Sequence, residues 1–204
     1  METLLKIKRG LVGLVPLSLL RGIKRATLPF LSVLFRNNLT ALMIIHGTDK
    51  VDPYRSHRYS KLYEKYLIEF RDKPITMLEI GVLYGNSLRM WKSYLPQAKL
   101  YGLDLFCMVD GFKVFQGSQS DVPFLNEVLK ETGKLDFVID DGSHIQKDAI
   151  ISFKTLFPHV SLGGVYVVED IQVWSKEEVK EFVETIKNEA EVHDQIIFIK
   201  KQQA

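Results

Sequence analysis

The sequence predicts an α/β fold: a doubly wound, mostly parallel sheet with helices on both faces and an N-terminal helical arm. Three observations carry this expectation. The runs Leu135 to Ile139 and Val165 to Val168 are short and rich in β-branched and aromatic residues, as strands buried on both faces are. From Thr76 onward such runs alternate with segments of helical periodicity, the signature of repeated βα units. The two runs end in carboxylate pairs, Asp140-Asp141 and Glu169-Asp170, and open α/β sheets bind ligands beyond the carboxyl ends of their strands.

Taken in order, the chain divides into a basic and apolar arm over 1–45 and a single domain over 46–204. A length of 204 residues with 46% hydrophobic content suffices for one core. The first 36 residues hold Lys6, Lys8, Arg9, Arg21, Lys24, Arg25 and Arg36 against the single acid Glu2, and the remainder is mildly acidic. Their two apolar stretches, Leu11 to Leu20 and Ala26 to Phe35, each fall short of the roughly 18 residues a spanning helix needs. No small-residue cleavage site follows them, so a secretory signal is not indicated. Two readings stay open for residues 1–36: peripheral contact with an anionic membrane, or packing on the domain or on a second subunit of a homo-oligomer. Cys107 is the only cysteine, which excludes an intramolecular disulfide and a cysteine metal site and suits a cytoplasmic setting.

Tyr59, Leu62, Tyr63, Tyr66, Leu67 and Phe70 recur at helical spacing. A strand then covers about Thr76 to Val82, and a helix about Asn86 to Tyr94. A second strand spans Lys99 to Leu105, and a weaker third one Lys113 to Gln116. Asp121 caps a helix with Pro123 in its first turn and Gly133 at its end. Beyond the strand ending at Asp141 come a helix over Lys147 to Phe157 and the strand Gly164 to Val168. Ser175 and Glu178 form a capping box for a helix to about Asn188, and Gln195 to Lys200 is the last strand. The tail after Trp174 thus reads as one helix and one strand.

Chemistry concentrates at the strand ends. If the runs ending at Asp141 and Glu169 are neighbours, several carboxylates and His144 converge, and a cation or shared proton is needed to hold them together. Glu79 lies inside an apolar strand and needs a polar or cationic partner, because burying an unpaired carboxylate costs several kcal/mol. Gly81 and Gly85 form a turn where backbone can approach a ligand, but the Gly-x-Gly-x-x-Gly dinucleotide fingerprint is absent. An acid at Asp104, ending the second strand, suits a ribose in several nucleotide folds. Lys50 and Tyr63 are candidates to reach a cofactor, although a tyrosine stripe more often belongs to a core than to a site, whereas His46, His57 and His159 read as loop or surface residues.

Glu79-x-Gly81-x-x-x-Gly85 is similar to the first motif of class I S-adenosylmethionine-dependent methyltransferases, a Rossmann-like fold. The resemblance implies cofactor contacts for Glu79, Gly81, Gly85 and Asp104, and for Gln119, Ser120 and Asp121 at the adenine edge; Asp121 equally reads as a helix cap. From Gly47 to Trp174 the resemblance narrows. His46-Gly47-Thr48-Asp49-Lys50, Leu78-Glu79-Ile80-Gly81, Asp140-Asp141-Gly142-Ser143-His144 and Gly163 to Ile171 together resemble the macrolide-sugar, mycinamicin-type O-methyltransferases. What this implies is Mg²⁺ or Mn²⁺ on Asp141, Glu169 and Asp170, with His144 as general base and Asp140 beside the cofactor. The expected activity is cation-dependent methylation of a hydroxyl on a sugar, glycan or glycosylated small molecule. Two rivals are a cephalosporin-hydroxylase-like enzyme of the same fold and a non-catalytic donor-binding protein recruited by its basic arm. Nucleic acid is not the expected partner: the Asp/Asn-Pro-Pro-aromatic motif of amino-methylating DNA enzymes is absent, and the arm interleaves few aromatics for stacking. The family's larger members carry a substantial N-terminal domain, for which residues 1–45 are too few.

Overall fold

The structure, a computed structural model, describes residues 27–51, 59–106, 109–186 and 189–202. Readings that rest on residues 1–26, on His57 and on Cys107 lie outside them. Residues 27–34 are helical and lead to helix α1 (Leu39–His46), capped by the Asn38 side chain and closed by Gly47 in a left-handed conformation. Helix α2 (Tyr59–Leu67) precedes strand β1 (Thr76–Ile80), helix α3 (Asn86–Tyr94) and strands β2 (Lys99–Asp104) and β3 (Lys113–Gln116). Helix α4 (Val122–Thr132), strand β4 (Leu135–Asp140), helix α5 (Gln146–Leu156) and strand β5 (Val160–Glu169) follow. The chain then forms helix α6 (Lys176–Thr185) and strands β6 (Glu189–Val192) and β7 (Ile196–Lys200).

The strand order is β3-β2-β1-β4-β5-β7-β6. The first five strands pair in parallel, and β7 inserts antiparallel between β5 and β6. Alternating side chains of each strand feed two cores. On one face Met77, Phe137, Ile139, Val165 and Phe198 pack with α1, α2 and α3; on the other Leu78, Ile80, Val138, Tyr166 and Ile199 pack with α4, α5 and α6. Order reverses at β1, with β2 to one side and β4 to the other. Ligands of doubly wound sheets bind at such a switch point.

Three features depart from the sequence expectations. The tail carries an additional antiparallel edge strand, β6, whose Glu-Ala-Glu-Val alternation hides it as a polar segment; its acids suit a solvent-facing edge. His46 is a buried residue, not a surface one: its Nε2 lies 3.1 Å from Ser32 Oγ and 3.2 Å from Ser93 Oγ. Leu39, Leu42 and Met43 are fully buried in the core that holds Trp91 and Phe137, so α1 packs as part of the sheet's helical layer. A boundary drawn after residue 45 cuts through that helix.

Candidate functional site

Two glycine turns floor a cleft at the carboxyl edge of the sheet. After β1, Gly81 sits at φ 81°, and a Cβ there would stand 1.9 Å from the carbonyl oxygen of Asp141. After β4, a Cβ on Gly142 would stand 1.9 Å from Gln119 Oε1. Each turn therefore occupies space that any side chain would close. Gly85 starts α3 in a left-handed conformation, with Val109 against its α-carbon. The cleft encloses about 600 Å³ between Gly47 to Lys50, the turn after β1, Asp104, Ser118, Gln119, and the segment Asp141 to His144 with Asp170.

Asp104 organises the first turn. Its Oδ2 accepts the backbone N–H groups of Val82 and Leu83, both at 2.9 Å, and its Oδ1 accepts that of Phe106 at 3.1 Å. Three of its roughly four acceptor positions are thus taken, and one is left for a ligand. Gln119 organises the second turn, donating from Nε2 to Asp140 Oδ1 at 2.8 Å and accepting the Ser143 N–H at 2.7 Å. Asp140 is buried away from the cleft, where it also accepts from Tyr166 Oη at 3.1 Å and from Ser152. Burial pushes its carboxyl above the ordinary range, against the pull of those hydrogen bonds. Ser120 and Asp121 do not line the cleft: Ser120 bonds Ser118, and Asp121 caps α4 through the Phe124 N–H.

Lys50 is the feature that sequence reasoning undervalued. Its ammonium is 1% exposed and stands 2.8 Å from Asp141 Oδ2, 2.7 Å from Glu169 Oε1 and 3.5 Å from Glu79 Oε1. Burial alone would lower its pKa, but these three carboxylates hold it well above the ordinary lysine value. Glu79 also accepts from Ser87 Oγ at 2.8 Å and Trp91 Nε1 at 3.5 Å, and Glu169 accepts from the buried Tyr63 hydroxyl. One ammonium cannot neutralise three acids. Burial raises the Asp141 carboxyl, but Lys50 and His144 outweigh it and hold it below the ordinary range. Glu169 bears the residue of the imbalance: burial, with Asp141 beside it, pushes it up to about 8. The signal was present as a demand, since acids at 79, 141 and 169 require a cation, and Lys50 sits in the motif opening the domain.

At the lip of the cleft, Asp141, His144 and Asp170 present donor atoms that all lie within 4.8 Å of one another. His144 Nε2 is 3.1 Å from Asp141 Oδ1 and 3.7 Å from Asp170 Oδ2. The hydrogen bond that the imidazole donates to Asp141 raises its pKa. His144 and Asp170 adopt positive φ of 57° and 58°, conformations that cost about 1–3 kcal/mol each and persist only where the surroundings fix them. Trp174 Nε1 donates to the His144 carbonyl at 2.8 Å, and Tyr59 Oη donates to Asp170 Oδ1 at 3.0 Å. The structure thus brings Asp141, His144 and Asp170 together, while Glu169 lies behind them on Lys50 and Tyr63. Two carboxylates on a half-open cleft with room for water suit a hard, oxygen-preferring divalent cation. One imidazole with two carboxylates is not the two-His-one-carboxylate set of oxygen-activating iron.

The sheet, with a glycine turn and an acid at its switch point, has the Rossmann-like methyltransferase fold of a solved structure that it matches. Within that class the chain is similar to macrolide-sugar O-methyltransferases. It is 39% identical over 145 residues to an 8-demethyl-8-(2-methoxy-alpha-L-rhamnosyl)-tetracenomycin-C 3'-O-methyltransferase of Streptomyces olivaceus, covering 66% of this chain and 37% of that enzyme. It is 41% identical over 126 residues to the mycinamicin VI 2''-O-methyltransferase of Micromonospora griseorubida, covering 56% of this chain and 32% of that one. Among solved structures, the MycE methyltransferase of the mycinamycin biosynthetic pathway, in complex with Mg, SAH and mycinamycin VI, superposes with a TM-score of 0.74. That match has 31% identity over 81% of this chain and 55% of MycE. The chain therefore spans less than two fifths of the length of these sequence relatives and just over half of the solved one. No protein-family model matches it.

Replacing Lys50 with Met strands the buried Glu79 and Glu169 and the half-buried Asp141, and is expected to cost about 3–5 kcal/mol in urea unfolding. Adding Glu79→Gln and Glu169→Gln to that variant should recover much of the loss; equal instability would deny that charge is the cause. Linkage gives a second expectation for the protein in chelator. Between the ordinary 4.5 and about 8, Glu169 binds more proton folded than unfolded, so stability falls as pH rises through that window. The slope of the urea midpoint against pH should flatten in Glu169→Gln.

Proposed function

We propose that this chain catalyses divalent-cation-dependent transfer of a methyl group from S-adenosylmethionine to a hydroxyl of a sugar, glycan or glycosylated small molecule. The observation that carries the reading is the corner of the cleft where Asp141, His144 and Asp170 meet next to the Gly81 turn. The sugar O-methyltransferase names of the similar sequences, and the Mg and SAH in the MycE complex, support it. The domain proposed to do this begins at α1, with the basic and apolar residues 1–38 preceding it in the sequence.

The donor occupies the cleft over Gly81 and Gly85, its ribose meeting the remaining acceptor position of Asp104 and its adenine lying toward Ser118 and Gln119. Glu79 and Asp140 act from beneath, Glu79 by fixing α3 through Ser87 and Asp140 by fixing Gln119. Ser120 and Asp121 shape the same loop from outside the cleft. Asp141 and Asp170 hold the cation, Mg²⁺ or Mn²⁺, and Glu169 supports them through Lys50. When bound, that cation supplies Lewis acidity that makes an acceptor hydroxyl easier to deprotonate.

A sugar hydroxyl is a poor nucleophile until it loses its proton. His144 lies at the lip with Nε2 free to exchange its Asp141 hydrogen bond for the acceptor hydroxyl, and Asp141 stabilises the imidazolium that forms. The oxygen attacks the methyl carbon in line with the sulfonium. A C–O bond forms, the C–S bond breaks with its electron pair left on sulfur, and the hydroxyl proton ends on His144. The products are the methyl ether and S-adenosylhomocysteine.

Calorimetry with S-adenosylhomocysteine is expected to show one site on the folded chain; no heat would remove the reading. With glycoside acceptors, chelator should abolish methyl transfer and Mg²⁺ restore it, and Asp170→Asn should reproduce the chelated state. His144→Ala should lower kcat by about 10²–10⁴-fold while leaving donor affinity unchanged, and unchanged turnover would reject it as the base.

A further inference from the structure

The helical segment over 27–34 is anchored to the domain through Ser32. Ser32 turns inward to His46, the last residue of α1, and the same imidazole meets Ser93 of α3. On the other side Phe30, Val33 and Leu34 are 69%, 70% and 61% exposed, at the i, i+3, i+4 spacing of a single helix face. Ile44 of α1 adds a further apolar side chain, 65% exposed. Single exposed apolar residues are ordinary; a face of them marks a surface that something covers.

Charge says what covers it. The sequence just ahead carries Lys6, Lys8 and Arg9 before the apolar stretch Leu11 to Leu20, and Arg21, Lys24 and Arg25 after it, against Glu2 alone. A second copy of this chain would bring the same positive charge to the contact. Folding the apolar stretch back onto the face would cover it but offer the clustered cations no anion, only solvent. An anionic lipid surface satisfies both at once, since apolar side chains enter the headgroup boundary while lysine and arginine meet the phosphates. Contact of this kind is peripheral: among the described residues no helix is long and apolar enough to cross a membrane.

We propose that the face formed by Phe30, Val33 and Leu34, with the basic residues before it in the sequence, docks this protein on anionic lipid bilayers. Gly47, one residue beyond His46, lines the cleft, so the docked segment connects to the wall of the cleft through α1.

The test is flotation of the full chain with vesicles of phosphatidylcholine alone or mixed with phosphatidylglycerol. Binding is expected only to the anionic vesicles and should weaken as salt rises. Substituting serine at Phe30, Val33 and Leu34 together should lower partitioning about tenfold or more, because each exposed apolar group loses its burial in lipid. The melting temperature in the absence of vesicles should not change. Replacing Lys6, Lys8 and Arg9 with Gln should also weaken binding without touching the apolar face. Absence of binding, or equal binding to neutral vesicles, would overturn the proposal. So would a wild-type dimer that the serine variant splits, which would make the face a self-interface. A large fall in melting temperature in that variant would assign the face to the chain's own interior and overturn it equally.

Discussion

The site rests on one buried ammonium. Lys50 lies among Glu79, Asp141 and Glu169, which come from three different places in the chain, and it satisfies a requirement none of them can meet for another. Without a cation, acids at the ends of β4 and β5 would repel and carry a desolvation cost that the apolar sheet cannot offset. With it, Asp141 is held ionised at the edge of the cleft, one oxygen toward Lys50 and the other toward His144. The same contact binds the loop after α1 to the sheet, so the floor of the cleft and its charge arise together.

Backbone geometry does the rest. Gly81 approaches the Asp141 carbonyl and Gly142 approaches the Gln119 amide, so the turns after β1 and β4 pack directly on each other. Asp104 and Gln119 then use side chains to satisfy backbone N–H groups that helix starts and turns leave unpaired. Residues that sequence patterns associate with ligand contact are, in this arrangement, partly spent on shaping the loops that make it. Asp140 is the clearest instance: its acid is buried among Gln119, Ser152 and Tyr166, where it fixes the loop from below.

The fold was legible because its signals are local. Apolar runs fixed β1, β2, β4 and β5, Asp121 and Gly133 bounded α4, and the Ser175–Glu178 pair marked the start of α6. Strand β6 escaped because an edge strand faces solvent and its alternating glutamates resemble a loop. The convergence of Asp141 with Asp170 followed from adjacent parallel strands, since register places Asp140 beside Val168. Which carboxylate faces the cleft did not follow. Neighbouring strand residues point to opposite sides, so the choice between Glu169 and Asp170 depends on where β5 ends and on the left-handed turn at Asp170. Lys50 was hidden for a related reason: a lysine in a polar loop gives no periodic sign that it will be buried.

Diffraction from crystals grown with S-adenosylhomocysteine and Mn²⁺, recorded for anomalous signal from the metal, tests the central claim most directly. The account predicts a single peak bound by Asp141 and Asp170, next to the cofactor sulfur, with Lys50 still bridging Asp141 and Glu169. A peak ligated by Glu169 with Lys50 displaced, or a cofactor seated outside the Gly81 turn, would contradict it.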